Sequence, residues 1–272
     1  MDPHDYCLAR GARSGSSLHY ATLFLPAPQR RAVVALAAFA RELDATLEAA
    51  SDPGVALARL AWWRTELAAA AGGAPSHPVS IALAQCLRQS DATQTDLARM
   101  LDGAEVAARQ TRLLDAAALN RHLALGPTAL ARLCAAPLGV EADTAPLARA
   151  IARVRLMRRT GADARRDRIW LPADTLRVHA VRPADLFASR TPPGWAALMA
   201  EQAAAARDDW QEACKSLARQ RSARALLALG RIHMRLLDEI EASGYAVLQQ
   251  RIELTPLTKL GLAWRTWVFG LR

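Results

Sequence analysis

One basic and two acidic side chains recur at helical spacing early in the chain: Arg41, Asp44 and Glu48. Residues three and four apart lie on one face of an α-helix, so both carboxylates point the same way, with a guanidinium one turn before them. This arrangement could hold one divalent metal ion or contribute one diphosphate contact. On spacing alone, an exposed ion-pair stripe is the favoured interpretation, with a metal or diphosphate site as the alternative.

Seven arginines fall between residues 153 and 168, and Asp163 and Asp167 are the only acids among them. A guanidinium donates two parallel hydrogen bonds to a phosphate, which suits an anion pocket. No aromatic residue interleaves these arginines before Trp170, so an RNA-binding stripe would lack a platform for base stacking. We expect an anion pocket or a partly solvated surface, and no nucleic-acid partner.

The composition of the 272-residue chain is that of a large folded domain. With 52% hydrophobic residues it can bury a core, which excludes a disordered protein. No apolar run approaches the roughly 18 residues needed to span a bilayer. The net charge of +9 is spread over amphipathic segments, which favours a solvated surface. The first residues show no secretory signal, so we expect a cytoplasmic protein.

Four cysteines are present and lie far apart in the sequence. They form no Cys-x-x-Cys pair, which argues against a zinc site or a disulfide framework and predicts reduced thiols. His77, His122 and His233 are each isolated from any nucleophile or second ligand at matching spacing, so helix capping or packing is the predicted role of each.

Apolar residues recur at spacings of three and four almost throughout, which predicts an all-α fold. Proline and glycine punctuation then sets the helix ends. The predicted helices are 29–50, 55–71, 78–89, 95–111, 116–134, 144–160, a helix from about 194 to 219, 222–242, and one from 256 onward, with an irregular connector at 165–174. No linker separates domains, so residues 1–272 are expected to form one unit.

Several motifs in order resemble the squalene/phytoene synthase family, whose members join two prenyl diphosphates head to head. They include Ser17-Leu18-His19-Tyr20-Ala21, Phe39-Ala40-Arg41-Glu42-Leu43-Asp44, Trp62-Trp63-Arg64, Asp102-Gly103-Ala104-Glu105, Arg168-Ile169-Trp170-Leu171-Pro172 and Gly244-Tyr245. The resemblance covers residues from about 14 to 267. It implies an all-α, single-domain isoprenoid-synthase-like bundle with a central cavity.

The resemblance also implies a magnesium cofactor, held by two aspartate-rich helical motifs that face each other across the cavity. The first motif is similar to Asp44-Ala45-Thr46-Leu47-Glu48, which keeps two of three carboxylates. The second falls on Ala152, Arg155, Arg159, Ala162 and Asp163, where only Asp163 is kept. The resemblance therefore implies that Asp44, Glu48 and Asp163 are the remnant metal-binding carboxylates. We expect these three to be the catalytic residues and the ligands of any metal that binds.

The same resemblance places Ser17 and Tyr20 near the diphosphate. A guanidinium group can hold a phosphate by two parallel hydrogen bonds, so Arg41, Arg155 and Arg159 are further candidates for diphosphate contacts without a metal. A guanidinium group near a metal ion opposes binding of the metal. We therefore expect Arg155 and Arg159 to balance the charge of the carboxylates instead. Specifically, Arg155 or Arg159 should lie within about 4 Å of Asp44, Glu48 or Asp163. A three-metal cluster is not expected.

These departures favour a divergent family member that binds a prenyl diphosphate or isoprenoid lipid, with weak or no synthase activity. Two alternatives stay open. The first is an active magnesium-dependent prenyltransferase, a transferase of alkyl groups other than methyl. The second is a non-catalytic assembly factor, similar to the mitochondrial complex I assembly member of the family.

The C-terminal segment places Trp264, Trp267 and Phe269 beside Arg265 and Arg272. Aromatic and basic residues on one helix are typical of a helix that lies in a membrane interface. The sequence therefore predicts peripheral membrane contact at this end, at the inner face of the membrane. Packing of the same helix onto the bundle is the alternative.

Overall fold

Helices account for almost all regular structure in the computed structural model, which describes residues 2–50, 52–89 and 91–271, with no side chains for residues 85–92. The helices are α1 Pro3–Gly11, α2 Ser17–Ala21, α3 Ala27–Ala49, α4 Pro53–Ala71, α5 Pro78–Gln89, α6 Asp91–Arg109, α7 Ala116–Leu138, α8 Ala145–Ala164, α9 Ala173–Val178, α10 Pro183–Phe187, α11 Trp195–Leu217, α12 Arg224–Ala242 and α13 Pro256–Phe269. Single 3₁₀ turns occur at Arg221–Ala223 and Ala246–Leu248. Within these ranges the only β pairing is one isolated bridge between Arg112 and Ile169.

The long helices agree with the sequence prediction, with differences at their ends. α7 continues past the predicted end at Cys134 to Leu138, where Gly139 takes a left-handed conformation (φ 69°) and closes the helix. α8 continues past the predicted end at Thr160 to Ala164. Gly161 allows this extension because a Cβ there would lie 2.5 Å from the Val247 carbonyl oxygen. The extra turn keeps Asp163 on the helix.

Four short helices, α1, α2, α9 and α10, were not predicted as helices. Each has only five to nine residues, which is too short for a helical period to stand out. Local capping supports two of them: Asp2 accepts from the backbone N–H of His4, and Ser16 accepts from that of His19. The predicted connector at 165–174 is irregular as far as Pro172, and α9 begins at Ala173.

Two helices organise the bundle around a cavity. α3 packs against α1, α5 and α7, and α8 packs against α7, α11 and α12. The core around α3 includes Phe39 and Trp63, and the core around α8 and α12 includes Val154 and Trp195. The predicted all-α, single-domain bundle is confirmed. No described helix is long and apolar enough to cross a membrane.

Three cysteines have described side chains, and Cys7, Cys134 and Cys214 are all free thiols. Burial raises the pKa of Cys7 and of Cys214 to about 11, and that of Cys134 to about 12. The predicted reduced state therefore agrees with the structure at these three positions. Cys86 lies outside the described side chains.

Candidate functional site

A cavity of about 190 Å³ lies between α3, α6, α7 and α8. Most of its wall is apolar, formed by residues that include Leu43, Leu47, Met100, Leu123 and Leu156. Its charged residues come from α3, from α8 and from the segment after α8: Asp44, Glu48, Arg155, Arg159, Asp163, Arg166 and Arg168. The cavity thus combines an apolar interior with a strongly charged region.

Ion pairs join α3 to α8 directly across this cavity. The Arg159 Nη2 atom lies 2.5 Å from Glu48 Oε1 and 3.5 Å from Asp163 Oδ1. The Arg155 Nη2 atom lies 3.3 Å from Asp44 Oδ2, and Arg41 reaches the same oxygen at 3.0 Å. The predicted salt bridges between the α8 arginines and the three carboxylates are confirmed.

The ion pairs form an inner group, in which Arg159 binds Glu48 and Asp163, and an outer group around Asp44. The two groups differ in burial. The Asp163 side chain is 8% exposed, whereas Asp44 is 34% exposed. Burial raises the pKa of the Asp163 carboxyl above its ordinary value, and the neighbouring Arg159 opposes that rise. Burial by itself would lower the pKa of Arg159, but Asp163 and Glu48 raise it overall. Arg159 is therefore a cation enclosed by two carboxylates.

Ser17 and Tyr20 do not line this cavity. They lie on α2, which packs against α12 and α13. The Tyr20 ring packs against the core around α12 and meets His19 edge-on, with ring centroids 5.1 Å apart. The structure thus brings together six of the eight predicted site residues and places these two elsewhere.

A second group of cations lies on the other side of Arg155, and sequence analysis did not identify it. Burial, followed by the charges of Arg251 and Arg155, lowers the pKa of Arg158 to about 10. No carboxylate of the described side chains lies within 4 Å of Arg158. The same cluster includes Lys259, whose Nζ donates to the Gly15 carbonyl at 2.9 Å and so lies beside the start of α2. We call Arg155, Arg158, Arg251 and Lys259 the cation cluster.

One carboxylate and one histidine accompany the cation cluster. Glu253 pairs with Arg251 at 2.5 Å. Burial, together with the charges of Arg155, Arg158 and Lys259, lowers the pKa of His233 to about 4. The only sequence signal for this cluster was the arginine run itself, because Arg251 and Lys259 lie some ninety or more residues downstream.

His77 caps a helix and His233 packs in the core, as predicted, whereas His122 lies in the cavity wall. The His77 Nδ1 atom accepts from the Val79 backbone N–H at 3.2 Å and so caps α5. The His233 Nδ1 atom lies 2.8 Å from the Leu229 carbonyl oxygen. His122 lines the cavity and stacks on Trp170, with ring centroids 4.9 Å apart, and burial lowers its pKa.

A family model for squalene/phytoene synthase matches residues 12–258 of the chain. The chain belongs to the squalene/phytoene synthase family. Phytoene synthase of Thermus thermophilus is 31% identical over 260 residues, covering 93% of this chain and 89% of that protein. Presqualene diphosphate synthase of Rhodopseudomonas palustris is 27% identical over 264 residues, covering 93% of each chain.

Two solved structures of the family share the fold. A dehydrosqualene synthase in complex with ligand superposes with a TM-score of 0.85 at 18% identity, covering 97% of this chain and 94% of that one. Squalene synthase HpnC from Alicyclobacillus acidocaldarius gives 0.77 at 20% identity, covering 89% and 94%. At these identities the likeness shows the fold alone.

Members of this family are prenyltransferases that typically use magnesium. The carboxylates that could serve as ligands here are bound by guanidinium groups at 2.5 to 3.5 Å. No group of three or more His, Cys, Asp or Glu side chains suited to a metal ion occurs in the described part of the chain. A divalent cation at any of these carboxylates would lie beside a guanidinium group, whose positive charge opposes metal binding. The side chains in this arrangement do not fit a magnesium cluster.

Proposed function

We propose that this protein is a divergent family member that binds one prenyl diphosphate or similar isoprenoid lipid and has weak or no synthase activity. The observation that carries the proposal is the ion pairing of Arg155 and Arg159 with Asp44, Glu48 and Asp163. Positively charged side chains occupy the place where the resemblance puts an amide and a carboxylate. The two helix faces are charge-balanced without a metal.

Ion pairing between the two helix faces limits ionisation of a prenyl diphosphate more than it limits binding of that molecule. When an allylic carbon–oxygen bond breaks, negative charge develops on the departing diphosphate. Catalysis requires cations that bind the diphosphate more strongly as this charge develops. Arg159 already shares its charge between Glu48 and Asp163. It therefore has little left to offer a leaving group.

Further positions support reduced catalysis. The resemblance places family carboxylates at Ala45, Ala107 and Ala162, and a family tyrosine at Leu113. Alanine and leucine can neither bind a metal nor move a proton. If Asp44, Glu48 and Asp163 were the whole remaining ligand set, each would still be paired with arginine.

The cation cluster is well suited to a diphosphate head group. Arg158 is partly buried, and its lowered pKa reflects the cost of burial beside other cations. A bound dianion would remove that repulsion and supply the missing counter-charge. Because Arg155 belongs both to this cluster and to the cavity lining, a head group there could extend its hydrocarbon tail towards the apolar wall.

Cavity size favours one tail over two. The cavity holds about 190 Å³, below the roughly 300 to 1,000 Å³ of typical small-molecule pockets. Head-to-head condensation needs two prenyl chains bound at once. A single chain is the better fit for this volume.

The active prenyltransferase is the second candidate, favoured by the 31% identity to a phytoene synthase. For that function magnesium would have to compete successfully with Arg155 and Arg159. A non-catalytic assembly role is the third candidate and shares the same charge-balanced site. We further propose that the protein acts in the cytoplasm as one unit and does not bind nucleic acid, since Arg153, Arg155 and Arg159 are engaged in ion pairs.

Two measurements test the proposal. The first is turnover of radiolabelled farnesyl and geranylgeranyl diphosphate with magnesium, with products extracted into hexane. We expect no product above a heat-killed control. Robust magnesium-dependent product would overturn the proposal in favour of the active enzyme.

The second measurement is calorimetric titration with farnesyl diphosphate in EDTA, where we expect one ligand per chain. Arg158→Met should weaken binding at least about tenfold, because a charge-assisted contact to phosphate is lost. The matched control is Arg177→Met, an exposed arginine on α9, which should leave affinity unchanged. Absence of both binding and turnover would refute the lipid-binding function and favour the assembly role.

A further inference from the structure

The exposed face of α13 is apolar along its whole length. Leu257, Trp264 and Val268 are 80%, 51% and 44% exposed, and with Gly261 they follow spacings of four, three and four. Phe269 is 55% exposed and meets the Trp264 ring edge-on, with centroids 6.0 Å apart. These five residues, which we call the α13 face, form one stripe that points away from the bundle.

α13 is packed on the bundle, so the exposed stripe does not belong to a detached C-terminal tail. The opposite side of α13 buries Ala263 and Thr266, and the Trp267 ring packs on Phe24 at 6.0 Å. The Arg224 guanidinium donates to the Trp267 carbonyl oxygen at 2.5 Å. α13 is therefore held firmly on α12 and α2 while its outer side presents large apolar groups to solvent.

The charged residues of α13 itself are both positive. α13 contains Lys259 and Arg265 and no Asp or Glu, although the exposed side of a helix is ordinarily polar and of mixed charge. Arg265 is exposed between the apolar residues of the stripe. Burial and the charge of Arg265 lower the pKa of Arg231 on α12.

Arg231, on the neighbouring helix α12, adds a second positive charge near Arg265. Its Nη1 atom is buried and has no hydrogen-bond partner among the described residues. Because that atom is closed to solvent, Arg231 acts on an anionic surface through its charge at a distance. Arg265 beside the stripe and Arg231 on α12 thus give this side of the protein two positive charges.

From these observations we propose that α13 docks on an anionic lipid surface, with Trp264, Val268 and Phe269 among the head groups and Arg265 against lipid phosphates. Trp and Phe on one helix with arginine beside them match the chemistry of the membrane interface. Anionic lipid adds attraction to each basic residue near the surface. This proposal does not depend on what the cavity binds.

Flotation of the full-length protein with vesicles tests the proposal. Vesicles of 30% phosphatidylglycerol in phosphatidylcholine should carry the protein, and pure phosphatidylcholine vesicles should carry at least about tenfold less. High salt should reduce flotation on the anionic vesicles. Equal flotation on both vesicle types would overturn the charge-dependent docking.

Variants then locate the contact. The double variant W264S/F269S should lose flotation at least about tenfold, and R265E should lose it on anionic vesicles only. The matched control is L114S/V178S, which removes two apolar side chains that are each 78% exposed, away from α13. Unfolding midpoints of all variants should match, since only exposed groups change. Equal flotation of W264S/F269S would refute α13 as the docking surface, as would a solution dimer that W264S/F269S converts to monomer.

Discussion

The two walls of the cavity differ in the sign of their charge. The α3 wall presents the carboxylates Asp44 and Glu48, whereas the α8 wall presents Arg155 and Arg159 above Asp163. Two acidic walls would need cations between them to be stable. With arginines on one wall, α3 and α8 bind each other directly. The comparison teaches that this fold can keep its cavity walls together without a metal once one wall reverses its charge.

The two arginines of the α8 wall also differ, in how far their side chains are exposed to solvent. Arg159 lies in the more enclosed part, between Glu48 and Asp163, and its side chain is 27% exposed. Arg155 is 39% exposed and shares Asp44 with Arg41. Solvent screens the outer pair more effectively, so the inner pair should contribute more to stability.

Making both walls acidic should have the largest effect. R155N/R159D leaves Glu48 and Asp163 without their arginine partner, leaves Asp44 with Arg41 alone and adds a fourth carboxylate, so the free energy of unfolding in EDTA should fall by about 3 to 4 kcal/mol. Magnesium at millimolar concentration should then raise the midpoint of thermal unfolding, because a metal that binds only the folded state stabilises it.

The control for this experiment is R155N/R159N, which removes the arginines without adding a carboxylate and should respond far less to magnesium. Wild type should not respond. A midpoint of R155N/R159D that is unchanged by magnesium would contradict the view that arginines replaced a metal at these walls.

The next effect concerns the cation cluster behind the α8 wall. Burial, with help from Arg155 and Arg158, lowers the pKa of His233 to about 4. Between about pH 6.5 and 4 the unfolded chain takes up a proton that the folded protein excludes. The unfolding free energy should therefore fall as the pH drops through this window, by up to about 3 kcal/mol from this residue.

Chemical denaturation of wild type and H233Q at several pH values measures this contribution. H233Q should flatten the decline between pH 6.5 and 4. R158M should shift the lower limit of the window upwards, because it removes one of the charges that lower the pKa of His233. Identical pH profiles for wild type and H233Q would show that His233 does not govern this loss.

A smaller effect is the coupling between Glu48 and Arg159 across the cavity. A double-mutant cycle with E48Q and R159M should give an interaction of about 1 to 2 kcal/mol, since the pair is only partly exposed. Unfolding free energies of the four proteins in denaturant supply the measurement. A coupling near zero would mean that the two walls do not hold each other through this pair.

The smallest expected effect is the coupling between Asp44 and Arg155. D44N and R155M should couple by less than about 0.5 kcal/mol, because both side chains are over a third exposed and Arg41 remains as a second partner for Asp44. The same denaturation experiment measures it. An outer coupling that exceeds the inner one would reverse the expected order along the α8 wall.

The sequence by itself determined the helical architecture and the helix that carries each charged site residue. Helical spacing put Asp44 and Glu48 on one face, and the order of the motifs gave the family and hence the opposition of α3 and α8. Because opposite charges had to meet across that opposition, the ion pairs of Arg155 and Arg159 could be predicted as well. Short helices such as α1 and α9 could not, since five to nine residues carry too little periodicity.

Only the tertiary structure decided which residues from distant parts of the chain share one electrostatic environment. It placed Lys259 and Arg251 beside Arg158, moved Ser17 and Tyr20 away from the cavity lining, and stacked His122 on Trp170. It also left one side of α13 bare while burying the other. Helical periodicity records which residues share a face of one helix, but burial and charge depend on which faces meet, and that is set by packing between helices.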